Sequence, residues 1–161
     1  MPKELTAQFK LLMSKHVQSV NLISILTGYT FRSCTISSLV SISASELENP
    51  VLAFSLKKGS EMEGLLSVGS SVWINLLNSD QAVIAQHYSK KRVGKDDPVL
   101  RIDERVDLVG SIGQFEVDII STIEISESVF FFGKVSNVDL SNISLQPLTY
   151  YSRRYNGLNT F

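Results

Sequence analysis

Cysteine, histidine and charge are all scarce in this chain. It has one cysteine, Cys34, and two histidines, His16 and His87, far apart in sequence. A lone cysteine excludes an internal disulfide and points to a reducing compartment. So few imidazoles and thiols leave no metal-ligand cluster to be drawn, so no metal is expected. Charged residues make up 19% of the chain, with 15 Lys+Arg against 16 Asp+Glu and a formal net charge of -1. A chain this neutral has no general attraction for nucleic acid or an anionic membrane, and neither is expected as a partner. No run approaches the roughly 18 apolar residues that span a bilayer. The start, Met1 to Leu5, lacks the apolar core of a secretory signal. The expectation is a soluble, cytoplasmic protein. There is no G-x-G-x-x-G, no Walker motif, and no nucleophile elbow for His16 or His87 to serve.

What is present is apolar, at 43% of 161 residues. That excludes a disordered chain and fits one domain over residues 1–161 with a sizeable core. The thin polar cover hints that some apolar surface is buried against a second copy of the chain. Leu5, Phe9, Leu12 and His16 recur at helical spacing and predict an amphipathic helix from Lys3 to about Val17. Val20–Thr27 reads as a strand closed by the turn signal Gly28-Tyr29. Cys34–Ser43 reads as one strand with Ile36, Val40 and Ile42 on its apolar face. Val51–Leu56 is nearly continuously apolar, as in a strand buried on both faces. Ser60 with Glu63 forms a capping box opening a short helix, ended by Gly69. Ser71–Leu77 is a strand, and Ser79-Asp80 opens a helix through Tyr88. Ser89–Asp103 reads as an exposed polar loop. Val106–Val109, Phe115–Ile125 and Val129–Val138 read as strands. Six or seven strands with hairpin-like spacing predict a mainly β fold, an antiparallel barrel with peripheral helices, because closure removes sheet edges.

Two segments suit a ligand. In Ser55-Leu56-Lys57-Lys58-Gly59-Ser60 a strand ends, two cations follow, and a helix begins. Unpaired amides and the helix dipole favour an anion there. An ordinary capped helix beside two solvated lysines is the plainer alternative, and Glu61 in the first turn competes with any anion. In Ser33–Ser38 small side chains and hydroxyls would let a flat ligand approach the backbone, or they form the polar outer face of a strand. Cys34 reads as a packed small hydrophobe, since a reactive cysteine needs an electropositive setting. Tyr150, Tyr151 and Tyr155 lie among Arg153 and Arg154, a mix that stacks a flat ring or covers a barrel end.

Taken in order, Thr35-Ile36-Ser37-Ser38, Val40–Ser43 with Pro50-Val51-Leu52, Ser55–Ser60, Val72–Leu77, Phe132-Gly133-Lys134-Val135, and Pro147–Tyr150 with Arg154-Tyr155 resemble the flavin reductase family of FMN-binding split-barrel proteins. The likeness spans about Phe9 to Leu158. It implies an NAD(P)H:flavin oxidoreductase, the reductase component that supplies reduced flavin to a flavin-dependent monooxygenase. It also implies a homodimer with FMN, or FAD, near the subunit interface and NADH or NADPH as hydride donor. By this resemblance Thr35, Ile36, Ser37 and Ser38 sit against the isoalloxazine ring. Ser55, Leu56 and Lys57 line the ring and ribityl chain, Ser60 holds the phosphate, and Asn75 matches an asparagine of the family. No side-chain acid or base is required. Tyr151 stands where many members carry a histidine, and Ser126-Glu127-Ser128 where many carry Gly-Asp-His. Tyr151 and Arg154 fall on the nicotinamide or substrate side. These departures leave a second reading, a non-enzymatic FMN-binding carrier, store or sensor on the same fold.

Overall fold

A computed structural model describes residues 1–90 and 110–158. Seven strands form one antiparallel sheet in the order β3-β2-β6-β7-β8-β5-β4. They are β2 (Asn21–Thr27), β3 (Thr30–Ile36), β4 (Val40–Ser43), β5 (Val51–Lys57), β6 (Ser71–Leu76), β7 (Gly113–Ile125) and β8 (Ser128–Asp139). The two edge strands, β3 and β4, are consecutive in the chain and joined by only Ser37, Ser38 and Leu39. So short a link forces the sheet to curl on itself. Ser38 fastens the seam: its Oγ donates to the Ser55 carbonyl (3.1 Å) and accepts from the Ser55 N–H (2.9 Å).

The expected mainly β, antiparallel barrel is therefore what the chain forms. Its interior is filled by inward residues of β2, β3, β5, β6, β7 and β8, among them Ile23, Ile36, Phe54, Ile74, Val117 and Phe131. Phe54 and Phe131 lie directly opposite in register and stack, 5.3 Å between centroids and 12° between planes. Gly133 is a glycine for want of room, since a Cβ there would press on Val117 and sit 3.2 Å from the Asp118 carbonyl.

A three-stranded sheet, β1 (Gln18–Ser19), β9 (Leu148–Tyr151) and β10 (Arg154–Gly157), packs with helix α3 (Ala82–Ser89) over a second, smaller core of Val20, Leu22, Leu77, Ala85, Tyr88 and Leu148. Helix α2 (Glu61–Leu65) follows β5, and α1 (Pro2–Met13) begins the chain.

Several boundaries differ from expectation. The first helix stops at Met13 and buries none of its residues. Cys34–Ser43 is two strands, not one, because the chain turns the barrel corner at Ser37–Leu39; Val40 and Ile42 are about half exposed, outside the core. Helix α2 ends at Leu65, before Gly69. Helix α3 starts at Ala82 after Gln81, with no acidic residue in its first turn. Gly113 opens β7, and the late hairpin turns at Ser126-Glu127, leaving Ser128 in β8. The described residues hold ten strands rather than six or seven, since β1, β9 and β10 are too short for periodicity to show. The strand expected at 106–109 and the loop beyond Lys90 lie outside the described residues.

Candidate functional site

The barrel is held at Ser38–Ser55 and parts beyond it, where β3 and the end of β5 diverge. Between them opens a cleft of about 560 Å³, walled by Arg32–Thr35, by Leu56–Met62 with Leu65, and by Tyr88–Lys90 at the end of α3.

The strand wall carries unspent hydrogen-bonding capacity. Thr27 pairs with Thr30 across a two-residue hairpin loop, with Gly28 at φ +63 in its first position, a type II′ arrangement. The turn closes through a bond between the flanking pair. Alternation along an antiparallel ladder then spends the main chain of residues 30, 32, 34 and 36 on β2. It turns the N–H and C=O groups of Phe31, Ser33 and Thr35 to the outer edge, which pairs with no strand among the described residues. Side chains steady this strand: Ser33 Oγ meets Ser24 Oγ at 2.7 Å, and Thr35 Oγ1 donates to the Ala85 carbonyl of α3 at 2.7 Å.

The opposite wall is apolar below and cationic above. Met62 and Leu56 are buried in the barrel core, and Tyr88 in the smaller one. Arg32, Lys57, Lys58 and Lys90 bring positive charge. Arg32 meets Glu61 at 3.5 Å, both half exposed, and Lys58 pairs with Glu124. Ser60 caps α2, its Oγ accepting from the Glu63 N–H (3.3 Å), and the Glu63 carboxylate accepts from the Gly59 N–H (2.9 Å). The Ser60 half of the capping box forms, while the Glu63 carboxylate takes the N–H of Gly59 instead of that of Ser60, which bonds the Lys57 carbonyl (3.1 Å). Burial pushes the Cys34 thiol up to about 12, so it stays neutral in the cleft wall.

Of the residues singled out from sequence, Thr35, Leu56, Lys57 and Ser60 line the cleft together. Ile36 is buried in the barrel. Ser37 is in the β3–β4 corner, and Ser38 and Ser55 form the seam above the cleft. Asn75 is buried on β6, where its Oδ1 accepts from Ser111 Oγ (3.3 Å) and Gln114 Nε2 (3.1 Å) while its Nδ2 has no hydrogen-bond partner in the structure. Tyr151 and Arg154 pair across the β9–β10 hairpin, away from the cleft lining. Lys15 Nζ stands 5.6 Å over the Tyr151 ring. Sequence reasoning passed over Arg32, Met62 and Tyr88 as lining residues. Arg32 had a signal in its strand parity with Cys34; Tyr88 had none, since nothing local says which strand α3 covers.

A strand edge with free amides, an apolar floor and cations at one end suit a planar, polar-edged ring carrying an anionic tail. The flavin reductase like domain model matches residues 13–159. The chain belongs to that family. Among solved structures, the styrene monooxygenase flavin reductase of Pseudomonas putida is 26% identical, covering 95% of this chain and 98% of its own, with a TM-score of 0.82. The flavin reductase component of a bacterial two-component tryptophan halogenase is 20% identical (97% and 99% covered, TM-score 0.82). The NADH:FAD oxidoreductase of Streptomyces globisporus, solved with NAD and FAD fragments, is 18% identical (99% and 95% covered, TM-score 0.84). These last two likenesses are of fold. No curated protein matches the sequence significantly.

Proposed function

We propose that this flavin reductase family member is an NAD(P)H:flavin oxidoreductase, built as one domain and working in the cytoplasm as a homodimer. It takes FMN, with FAD as the second candidate, and hands reduced flavin to a separate flavin-dependent monooxygenase. The observation that carries this reading is the free edge of β3 facing an apolar, cation-ended cleft. When bound, the flavin supplies the chemistry, its N5 accepting the hydride that NADH or NADPH carries on C4.

The chain's own part is to bind and orient. The outward N–H and C=O groups of Ser33 and Thr35 meet the polar edge of the ring. Leu56, Met62 and Leu65 pack on its face and keep water away. Lys57, with Lys58, Gly59 and Ser60, receives the phosphate end. Ile36, Ser37, Ser38 and Ser55 hold the barrel corner that sets the cleft's width, and Asn75 braces β6 behind it. Tyr151 and Arg154 are proposed for the nicotinamide side. No group in the cleft wall need take or give a proton for hydride transfer, so positioning carries the catalysis.

No helix among the described residues is long and apolar enough to cross a membrane. Oxidation of NADH and of NADPH, each with added FMN or FAD, tests the proposal. Turnover with at least one pair is expected. Saturable flavin binding with no nucleotide oxidation in any combination would leave only the storage or sensor reading.

A further inference from the structure

Helix α1, twelve residues long, presents an apolar stripe to solvent. Leu5, Phe9 and Leu12 are 69%, 62% and 75% exposed, and no residue of the helix is buried. Hydrogen bonds to the rest of the fold lie just past its C-terminus: the Ser152 N–H donates to the Ser14 carbonyl (2.8 Å), and Lys15 Nζ donates to Ser152 Oγ (3.1 Å). A helix this short is marginal in water without something to lie on.

A second unpartnered apolar surface lies on the outside of the barrel. Register places Phe130 opposite Ile123 and Ser55, and Phe132 opposite Ser121 and Ala53, with Val40 beyond Ala53. Phe54 and Phe131 point inward, so this set points outward. Phe130, Ile123, Ile125, Val40 and Ile42 are each roughly one-third to three-fifths exposed. Its central polar members are the uncharged Ser55 and Ser121, and charge enters only at the two ends, at Asp118 and Lys134 on one side and at Lys57 on the other. An apolar, charge-free centre with a charged rim is the anatomy of a protein interface.

We infer that α1 of one copy crosses to lie on the outer β4-β5-β8-β7 face of a second copy, and that the second returns its own α1 by the same two-fold operation. Each surface offers roughly 400 Å² of large apolar side chain, counting about half of what such a side chain can bury. Two reciprocal contacts then remove about 1,600 Å², the size of a stable interface. The chain supplies both halves of this contact and, in the structure, does not join them within one copy. The inference rests on the homodimer proposed above, and adds which element swaps and where it lands.

A photoreactive benzoylphenylalanine placed at Phe9, in protein mixed with an isotope-labelled unmodified copy, tests it. The expected crosslink joins Phe9 to labelled peptides from residues 121–134 in a species of dimeric mass. Phe9→Asp and Phe130→Asp, each checked for folding by circular dichroism, are expected to weaken the dimer by tenfold or more. A dimer whose crosslinks fall elsewhere, or only within one copy, overturns the helix exchange and leaves the dimer standing. A monomer at working concentrations overturns both.

Discussion

Single side chains decide how readily the cleft takes an anion. Arg32 in the cleft wall already has a carboxylate against it, Glu61 at 3.5 Å. An incoming phosphate must compete with that carboxylate. Exposed ion pairs of this kind contribute under about 1 kcal/mol, so Glu61→Gln is expected to tighten FMN binding by roughly two- to fivefold. Riboflavin, which has no phosphate, should be unaffected. Fluorescence quenching titrations of both flavins read this out; an equal change for the two would place the phosphate away from Glu61 and the start of α2. Cys34 behaves differently, because burial keeps its thiol neutral. Its raised pKa makes any stabilisation from the neutral thiol full below the ordinary value of 9.0, and lost as pH climbs toward about 12. At about pH 8 the native protein should react with iodoacetamide on the order of a thousandfold more slowly than the urea-unfolded chain. Equal rates would mean that the thiol is exposed.

At the scale of elements, the barrel corner at Ser37–Leu39 is the decisive joint. Ser38 stands in for a ladder partner, giving and receiving a hydrogen bond at Ser55. Ser38→Ala is expected to cost about 1–2 kcal/mol, read as a lower urea midpoint with an unchanged slope, and to widen the cleft below the seam. An unchanged midpoint would mean that water replaces the hydroxyl at no cost. This corner also marks where sequence reading reached its limit. Long strands announced themselves: the nearly continuous apolar run Val51–Leu56 and the strand-like stretch Phe115–Ile125 are local signals, and both elements formed. The Ser60 cap was equally local and formed, although the Glu63 carboxylate closes on the Gly59 N–H in place of the Ser60 N–H. The corner was not legible, since Ile36, Val40 and Ile42 keep one parity straight through it, and only the closure of a seven-stranded sheet breaks the run. Strands of two and four residues, such as β1 and β9, exist by pairing with each other and leave no period to detect. For the cleft, the residues contiguous with a turn or a cap, Thr35, Leu56, Lys57 and Ser60, could be read from the chain. Tyr88 and Lys90 join them through α3 packing, a long-range event.

Across the whole molecule, two cores with different tasks frame one cleft. The barrel core fixes β3 and β5, and the smaller core presses α3 against β3 from outside. The cleft lies where the two meet, so its walls are held by packing and its polar edge by the geometry of an unpaired strand. The exposed faces of α1 and of the outer barrel belong to this scale too, since no single copy of the chain covers them. The claim on which function depends is that the free edge of β3 receives the flavin ring. Titrating isotope-labelled protein with FMN and following backbone amide resonances tests it most directly. The Ser33 and Thr35 amides should shift most, together with Lys57 and Gly59, and saturate at a single affinity. Shifts centred instead on Tyr151 and Arg154, with Ser33 and Thr35 unmoved, would contradict it.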